Sequence, residues 1–169
     1  MDRTELRALQ APVREKYQAD PSTAWTPIRG EGDWSGSGIT TSVQTWSEPV
    51  RAGLHPATGG DGSDACSGDM LMQALVGCAG VTMRSVATAM GLDLGEVSVV
   101  ADSHFDARGT LGVDRSVDVG IGPVTVTATV DADLDDTTRQ RLATSTERYC
   151  VVGQSLKQVP TMVVVTRAH

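Results

Sequence analysis

The chain has 169 residues, a formal net charge of −7 and a pI near 4.8. That length suits one domain whose core is large enough to fold without disulfide bridges. The acidic balance supplies no basic surface for nucleic acid or anionic membranes, so we expect neither partner and favour a small or uncharged ligand.

The first residues lack the basic-then-apolar pattern of a secretory leader. The longest apolar run, from Met70 to Met83, has about fourteen residues, whereas ~20 are needed to span a bilayer. We therefore expect a cytoplasmic protein. In that reducing compartment a cysteine pair is more typical of catalysis or metal binding than of a structural bridge.

The N-terminal third predicts a helix followed by strands. Residues 4–17 have helical composition interrupted by Pro12, and Asp20-Pro21-Ser22 ends the segment. We expect a helical extension over residues 1–21 and the main domain over residues 22–169. Residues 24–51 are rich in Thr, Val, Trp and Ile, which predicts two or three antiparallel strands. Residues 53–68 form a long loop, and loops of that length are often functional.

A helix is predicted from about Asp69 to Met90, with Gly91 as its C-terminal cap. Its opposite faces are both apolar, and a helix that is apolar all round is a buried helix. Small residues next to Cys78 would let another helix approach closely. One face has helical spacing and contains Leu71, Leu75, Cys78, Thr82, Ser85 and Val86.

The C-terminal part predicts strands, two helices and a closing strand. Residues 96–106 and 113–131 have strand patterns, and residues 124–130 alternate most clearly. Asp133 or Asp135 begins a helix that runs to Tyr149, and Cys150 follows it. Residues 151–158 predict a short helix and residues 161–166 a strand. This order predicts an α+β fold with helices on one face of an antiparallel sheet.

The three cysteines have unlike contexts. Cys78 lies in the most apolar segment, Cys150 ends a polar run, and Cys66 lies at a Gly/Ser-rich helix entry. Because free cysteine often packs as a small hydrophobe, packing is the simplest interpretation of each one alone. Together, Cys78 and Cys150 favour a buried redox pair that the fold assembles. We expect Cys66 to be dispensable for chemistry.

Other chemistries have weaker support. Neither C-x2-C nor H-x3-H spacing occurs, so we predict no metal site. The run Gly59-Gly60-Asp61-Gly62 lacks the Gly-Lys-Ser/Thr of a phosphate loop, so we predict no nucleotide cofactor. A hydrolase with a cysteine nucleophile and His55 as its base stays open, although no oxyanion-binding device is recognisable.

Two segments carry a family resemblance: residues 69–78, ending in Leu75-Val76-Gly77-Cys78, and residues 147–152, Glu147-Arg148-Tyr149-Cys150-Val151-Val152. With the Val/Thr-rich strands between them, the chain resembles the OsmC/Ohr family of osmotically induced and organic hydroperoxide resistance proteins, over roughly residues 29–165. The resemblance implies an OsmC-like fold, an intertwined homodimer with a buried cysteine helix, and sites at the subunit interface.

The resemblance also implies a cysteine-based peroxidase that needs no cofactor. In such an enzyme Cys78 would be the peroxidatic thiolate and Cys150 the resolving thiol. The substrate would be a small organic hydroperoxide and the reductant an external thiol. A sulfenic acid formed at Cys78 would condense with the second thiol into a disulfide before further oxidation.

The chain departs from that family at the start of the cysteine helix. Family members begin this helix with Asn-Pro-Glu, whose Glu holds an activating Arg, and here Gly68 occupies the Glu position. We therefore expect substitutes: His55 or Arg51 from the loop, with Asp69 orienting from the first helical turn and Arg29 as a further cation. The alternative is a non-peroxidatic protein of the same fold that binds a small apolar or electrophilic ligand.

Overall fold

The computed structural model describes residues 1–34 and 36–167. Its helices and strands confirm the α+β class. Two short 3-10 turns lie at Pro21–Ala24 and Pro56–Thr58. In chain order the other elements are α1 (Arg3–Ala19), β1 (Gly32–Asp33), β2 (Thr40–Val43), β3 (Val50–Gly53), β4 (Ala65–Cys66), α2 (Ser67–Met90), β5 (Val97–Asp102), α3 (Ala107–Thr110), β6 (Thr125–Val130), α4 (Asp136–Tyr149), α5 (Val151–Gln154) and β7 (Thr161–Thr166).

The chain divides into two compact units. One, here called the cysteine unit, consists of Met1–Pro27, Leu75–Asp102 and the chain from Val124 onward. The other, the hairpin unit, consists of Ile28–Ala74 and Ser103–Pro123. Cys78 and Cys150 both belong to the cysteine unit, so their mutual geometry is defined within one compact body.

The hairpin unit contains a four-stranded sheet in the order β1-β2-β3-β4. Strands β1 to β3 are antiparallel, as predicted for residues 24–51, but each is short. The predicted loop 53–68 contains a helical turn and β4, which pairs parallel with β3. The loop doubles back so tightly that a Cβ at Gly60 would lie 1.8 Å from the Leu54 carbonyl oxygen. Only glycine fits there.

The cysteine unit contains a three-stranded sheet in the order β5-β6-β7. Strands β5 and β6 are antiparallel, but β7 runs parallel to β6. The prediction of a wholly antiparallel sheet is therefore wrong. The reason is topological: α4 and α5 carry the chain from the end of β6 back to its start, which is the crossover a parallel pair requires. The predicted strand 113–131 is confirmed only for Thr125–Val130, because two glycines and Pro123 precede it.

The core of the cysteine unit lies on one face of this sheet. Val126, Ala128 and Val130 alternate along β6 with less buried residues, and all three are fully buried. Helix α4 packs against β7 and contributes buried Leu142. This packing fixes the end of α4, where Cys150 lies.

Helix α2 begins near the predicted residue and ends at Met90, where Gly91 has a φ of +74°. Its buried residues are Leu75, Ala79, Met83 and Ala87, spaced one turn apart, so Leu75 is buried as predicted and the stripe beyond it is displaced by one position. The expectation of a helix buried all round is not met in the single chain, because Val81 is 73% exposed.

By length and composition α2 could also cross a membrane, although only 22% of its most apolar window is buried. The core helices of soluble proteins can have the same length and apolar composition. The apolar run of about fourteen residues understated the segment, since Ser85 to Met90 continue it beyond Arg84.

Helix α1 runs without a break through Pro12, contrary to the prediction. Proline removes one backbone hydrogen bond, to the carbonyl of Ala8, and that residue is exposed, so water can satisfy the carbonyl. The helix begins with a capping box between Asp2 and Glu5. The boundary at residue 21 stays a prediction.

Candidate thiol site

Cys150 is held at the junction of two helices. It ends α4, where its N–H donates to the Thr146 carbonyl at 3.0 Å, and it precedes α5, where its carbonyl accepts from Gln154 N at 2.9 Å. Its side chain is 1% exposed. Cys78 is half-buried in the middle of α2, and both thiols are free. The two side chains interact, and each thiol shifts the pKa of the other.

The surroundings of Cys78 favour its thiolate. Partial burial is the largest single influence and opposes ionisation, but hydrogen bonds together outweigh it and lower the pKa of Cys78 below that of an ordinary thiol. In order of strength they come from the Val152 N–H, the Cys150 thiol, the Thr82 hydroxyl and the Val151 N–H. A thiolate with this set of donors is a nucleophile at lower pH than a free cysteine.

Cys150 has the opposite tendency. Burial raises the pKa of Cys150, and the neighbouring Cys78 raises it further, against the Gly153 N–H, which lowers it. That N–H donates to Cys150 Sγ at 3.4 Å. A Cβ at Gly153 would lie 3.3 Å from the same sulfur, so the absence of a side chain lets α5 approach the thiol. The pair therefore consists of one thiol biased towards the anion and one biased towards the protonated form.

We expect Thr82→Val to raise the pKa of Cys78, because valine keeps the shape of the side chain but removes a donor to the thiolate. Since the thiolate fraction rises with pH, alkylation of Cys78 by iodoacetamide should shift to higher pH and slow roughly fivefold at neutral pH. Thr88→Val is the matched control, because that hydroxyl donates to the Arg84 carbonyl on the same helix. Equal alkylation profiles for both variants would remove Thr82 from the site.

The other predicted site residues lie in the hairpin unit, where each has a local partner. Arg51 forms an ion pair with Asp64. The Nδ1 of His55 accepts the Ala57 N–H at 3.0 Å, and its ring packs edge-to-face with Phe105 at a centroid distance of 5.3 Å.

Asp69 lies in the first turn of α2, more than two turns before Cys78, so it would act through a cation rather than on the sulfur. Arg29 pairs with Glu31. The roles of Arg51, His55 and Asp69 towards Cys78 stay predictions.

Sequence reasoning missed the groups that surround the two sulfurs. Thr82 follows Cys78 by one helical turn and Thr146 precedes Cys150 by one turn, and this spacing is visible in the sequence. The N–H groups of Val151, Val152 and Gly153 could not have been found in that way. Backbone donors cannot be identified from the amino-acid composition, and the positions of these N–H groups depend on where α5 begins.

Comparisons with known proteins give a consistent fold. The family model described as OsmC-like protein matches residues 60–165. No curated protein matches the sequence. A crystal structure of an organic hydroperoxide resistance protein OsmC from Legionella pneumophila is similar, with a TM-score of 0.64, 12% identity, and coverage of 85% of this chain and 100% of that one. An OsmC-like protein of unknown function from Vibrio cholerae gives a TM-score of 0.68 at 8% identity, covering 83% and 100%.

A second Vibrio cholerae structure is described as a candidate organic hydroperoxide resistance protein with captopril bound in one of its active sites. It gives a TM-score of 0.59 at 16% identity, covering 86% of this chain and 96% of that one. At these identities the structural likeness establishes the fold, which is OsmC-like as the sequence predicted.

Proposed function

Because this chain belongs to the OsmC-like protein family, with a general role in redox chemistry or hydroperoxide resistance, we propose that it is a thiol-dependent peroxidase for organic hydroperoxides. The observation that carries the proposal is the contact between Cys78 and Cys150, in which the pKa of Cys78 is lowered and that of Cys150 is raised. These opposite pKa shifts suit a pair in which Cys78 attacks the peroxide first and Cys150 reacts in the later step.

The proposed cycle has three balanced steps. The Cys78 thiolate attacks one oxygen of the hydroperoxide, the O–O bond breaks, and the alkoxide takes a proton and leaves as the alcohol, with sulfenic acid at Cys78. The Cys150 sulfur, as its thiolate, then attacks the Cys78 sulfur, an S–S bond forms, the S–O bond breaks, and water leaves. An external dithiol reduces the disulfide by exchange and is itself oxidised. A reducing compartment such as the cytoplasm would supply that reductant.

The hydrogen bonds at Cys78 favour its thiolate without the help of a cation, which supports a peroxidatic role for this residue. Thr82 and the two N–H groups of α5 stabilise negative charge on the sulfur, as they would in the transition state of thiolate attack. No cation is among the groups that lower the pKa of Cys78 in the described part of the chain. The proposed activation by Arg51 or His55, with Asp69 orienting the cation, would add to these donors.

We expect His55→Asn to separate the two roles of that residue. Asparagine keeps an acceptor for the Ala57 N–H but removes the imidazole, so the local turn should persist. If His55 activates Cys78, the variant should raise the pKa of Cys78 and slow peroxide reduction, with only the small fall in melting temperature expected from loss of the ring contact with Phe105. An unchanged thiol titration would exclude His55 and leave Arg51 or Arg29 to be tested.

We propose a homodimer as the working assembly. Val81 is 73% exposed on α2, and a Cβ at Gly77 would have no atom within 4 Å, so this helix face is open in the single chain. The three tryptophans are also largely exposed, Trp25 by 90%, Trp34 by 86% and Trp46 by 99%. A partner that covers the open face of α2 would bury apolar surface that is exposed to water in the single chain.

The second candidate is a non-peroxidatic protein that binds a small apolar or electrophilic ligand at Cys78. Among the described residues no cation acts on the pKa of Cys78, which favours this candidate. Consumption of cumene hydroperoxide with dithiothreitol in excess distinguishes the two. The peroxidase should turn over repeatedly and prefer this substrate to hydrogen peroxide, whereas a binding protein would consume at most one equivalent. Failure to turn over would contradict the peroxidase.

A further inference from the structure

One buried polar group near the thiols has no assigned role. Thr146 is a polar residue within the core of the described residues, and it is 0% exposed. Its hydroxyl oxygen has no hydrogen-bond partner among the described residues. A buried hydroxyl without a partner lowers stability, so such groups in folded proteins call for an explanation, and a catalytic or redox role is one of these.

Thr146 stands one helical turn before Cys150, and the Cys150 N–H donates to its carbonyl at 3.0 Å. Residues four apart lie on the same side of a helix, and Cys150, the C-cap of α4, follows Thr146 at that spacing. Threonine populates two χ1 rotamers in helices, which direct its hydroxyl to different sides of the side chain. A change of rotamer redirects the hydroxyl within this buried part of the helix end.

The thiol form of Cys150 needs little from such a donor, because the Gly153 N–H already reaches its sulfur at 3.4 Å. The thiolate is different, since it carries a full negative charge in a site that is 1% exposed to water. Cys78 is the titratable group that acts on Cys150, while α5 and β7 contain no titratable residue. No charged side chain from those two elements can stabilise the anion.

We propose that Thr146 is a positioning residue for Cys150, whose hydroxyl donates to the Cys150 sulfur while that sulfur is a thiolate. The inference rests on the proposed function, because it concerns the step in which Cys150 attacks the sulfenic acid at Cys78. In that step Cys150 is oxidised, the Cys78 sulfur is reduced, an S–S bond replaces the S–O bond, and the departing hydroxide becomes water with the proton that Cys150 released. The disulfide sulfur is a weak acceptor, so the hydroxyl is released again.

Thr146→Val makes the proposal testable, because structural and functional roles predict opposite results. If the hydroxyl only supported the fold, its loss would lower the melting temperature. If the hydroxyl instead acts only on the Cys150 thiolate, valine removes an unpaired polar group at constant shape, and the melting temperature should stay equal or rise. The same variant should slow disulfide formation about tenfold after a single equivalent of cumene hydroperoxide. Formation of the sulfenic acid, trapped with dimedone, should not change.

Three further measurements decide the outcome. Thr146→Ser keeps the hydroxyl and should restore the rate, and Thr144→Val is the matched control, since Thr144 is exposed on the same helix. In the Cys66→Ser, Cys78→Ser background only Cys150 remains, and the ultraviolet absorbance of its thiolate gives its pKa without any peroxide. Thr146→Val should raise that pKa.

An unchanged Cys150 titration, or a lower melting temperature with an unchanged resolution rate, would overturn the role of Thr146. A wild-type protein that forms no sulfenic acid would instead overturn the peroxidase, and the Cys150 titration would still decide for or against Thr146.

Discussion

Replacing Cys78 by serine should abolish reduction of organic hydroperoxides, by about a thousandfold or more, because a serine hydroxyl does not ionise near neutral pH and cannot attack the O–O bond. Replacing Cys150 by serine should leave a first turnover at the wild-type rate. Without the second thiol the sulfenic acid persists, reacts with dimedone, and is oxidised further to sulfinic acid by excess peroxide. Stopped-flow peroxide consumption and intact-protein mass spectrometry measure both outcomes.

Cys66→Ser is the control for this pair of variants. Cys66 lies at the end of β4 in the hairpin unit and is half-buried, so its replacement should leave turnover and folding unchanged. Loss of turnover in the folded Cys66→Ser protein would show that Cys66 rather than Cys150 resolves the sulfenic acid. Full activity of Cys150→Ser with dithiothreitol would show that an external thiol reaches Cys78 directly.

Substitution of Val81 by glutamate should convert a dimer into a monomer. Its side chain projects from the open face of α2, where a partner would have to bury it, and burial of an unpaired carboxylate costs several kcal/mol. Val113→Glu is a close control, because Val113 is 72% exposed and Val81 is 73% exposed, but Val113 lies in a loop beyond α3. Sizing with light scattering at micromolar concentration, together with melting temperature, measures the effect.

The wild-type protein should elute as a dimer, as should Val113→Glu, whereas Val81→Glu should elute as a monomer and melt at a lower temperature. A monomeric wild-type protein would contradict the proposed assembly directly. So would a Val81→Glu protein that stays dimeric with an unchanged melting temperature, because the face of α2 would then not lie in the interface.

Residues with strong local signals were predicted best. Helix α4 has an N-cap at Asp135 as expected, and β7 spans the predicted residues. The buried stripe of α2 was misplaced because both candidate stripes are apolar, and periodicity cannot choose between two apolar faces. Leu75 was predicted, but the burial of Ala79 and Met83 rather than Cys78 and Thr82 is decided by packing against other elements, which a sequence window does not contain.

The parallel pairing of β7 was missed for a similar reason. Strand residues alternate in the same way in either direction, so Thr161–Thr166 carried no signal of orientation. Orientation follows from the crossover through α4 and α5. Pro12 predicted a break that α1 does not have, because an exposed helix tolerates the loss of one hydrogen bond.

The candidate site was predictable in its two sulfurs and not in their surroundings. The unlike contexts of Cys78 and Cys150, with the family resemblance, were enough to pair them. Thr82 and Thr146 could have been chosen by helical spacing, but their importance depends on burial and on which hydroxyls have partners. Arg51, which lies in β3, and His55 were chosen as possible cations at or near the loop that supplies the family's activating Arg, and neither charge nor chain position fixes their distance from Cys78.

The most direct measurement of the central claim is peptide mapping after reaction of the reduced protein with one equivalent of cumene hydroperoxide. Proteolysis under acidic, non-reducing conditions followed by mass spectrometry identifies every disulfide that forms. A redox pair predicts one linked peptide, with Cys78 joined to Cys150, and a free thiol at Cys66. Unmodified thiols at both Cys78 and Cys150, or a disulfide from Cys78 to Cys66, would contradict the account.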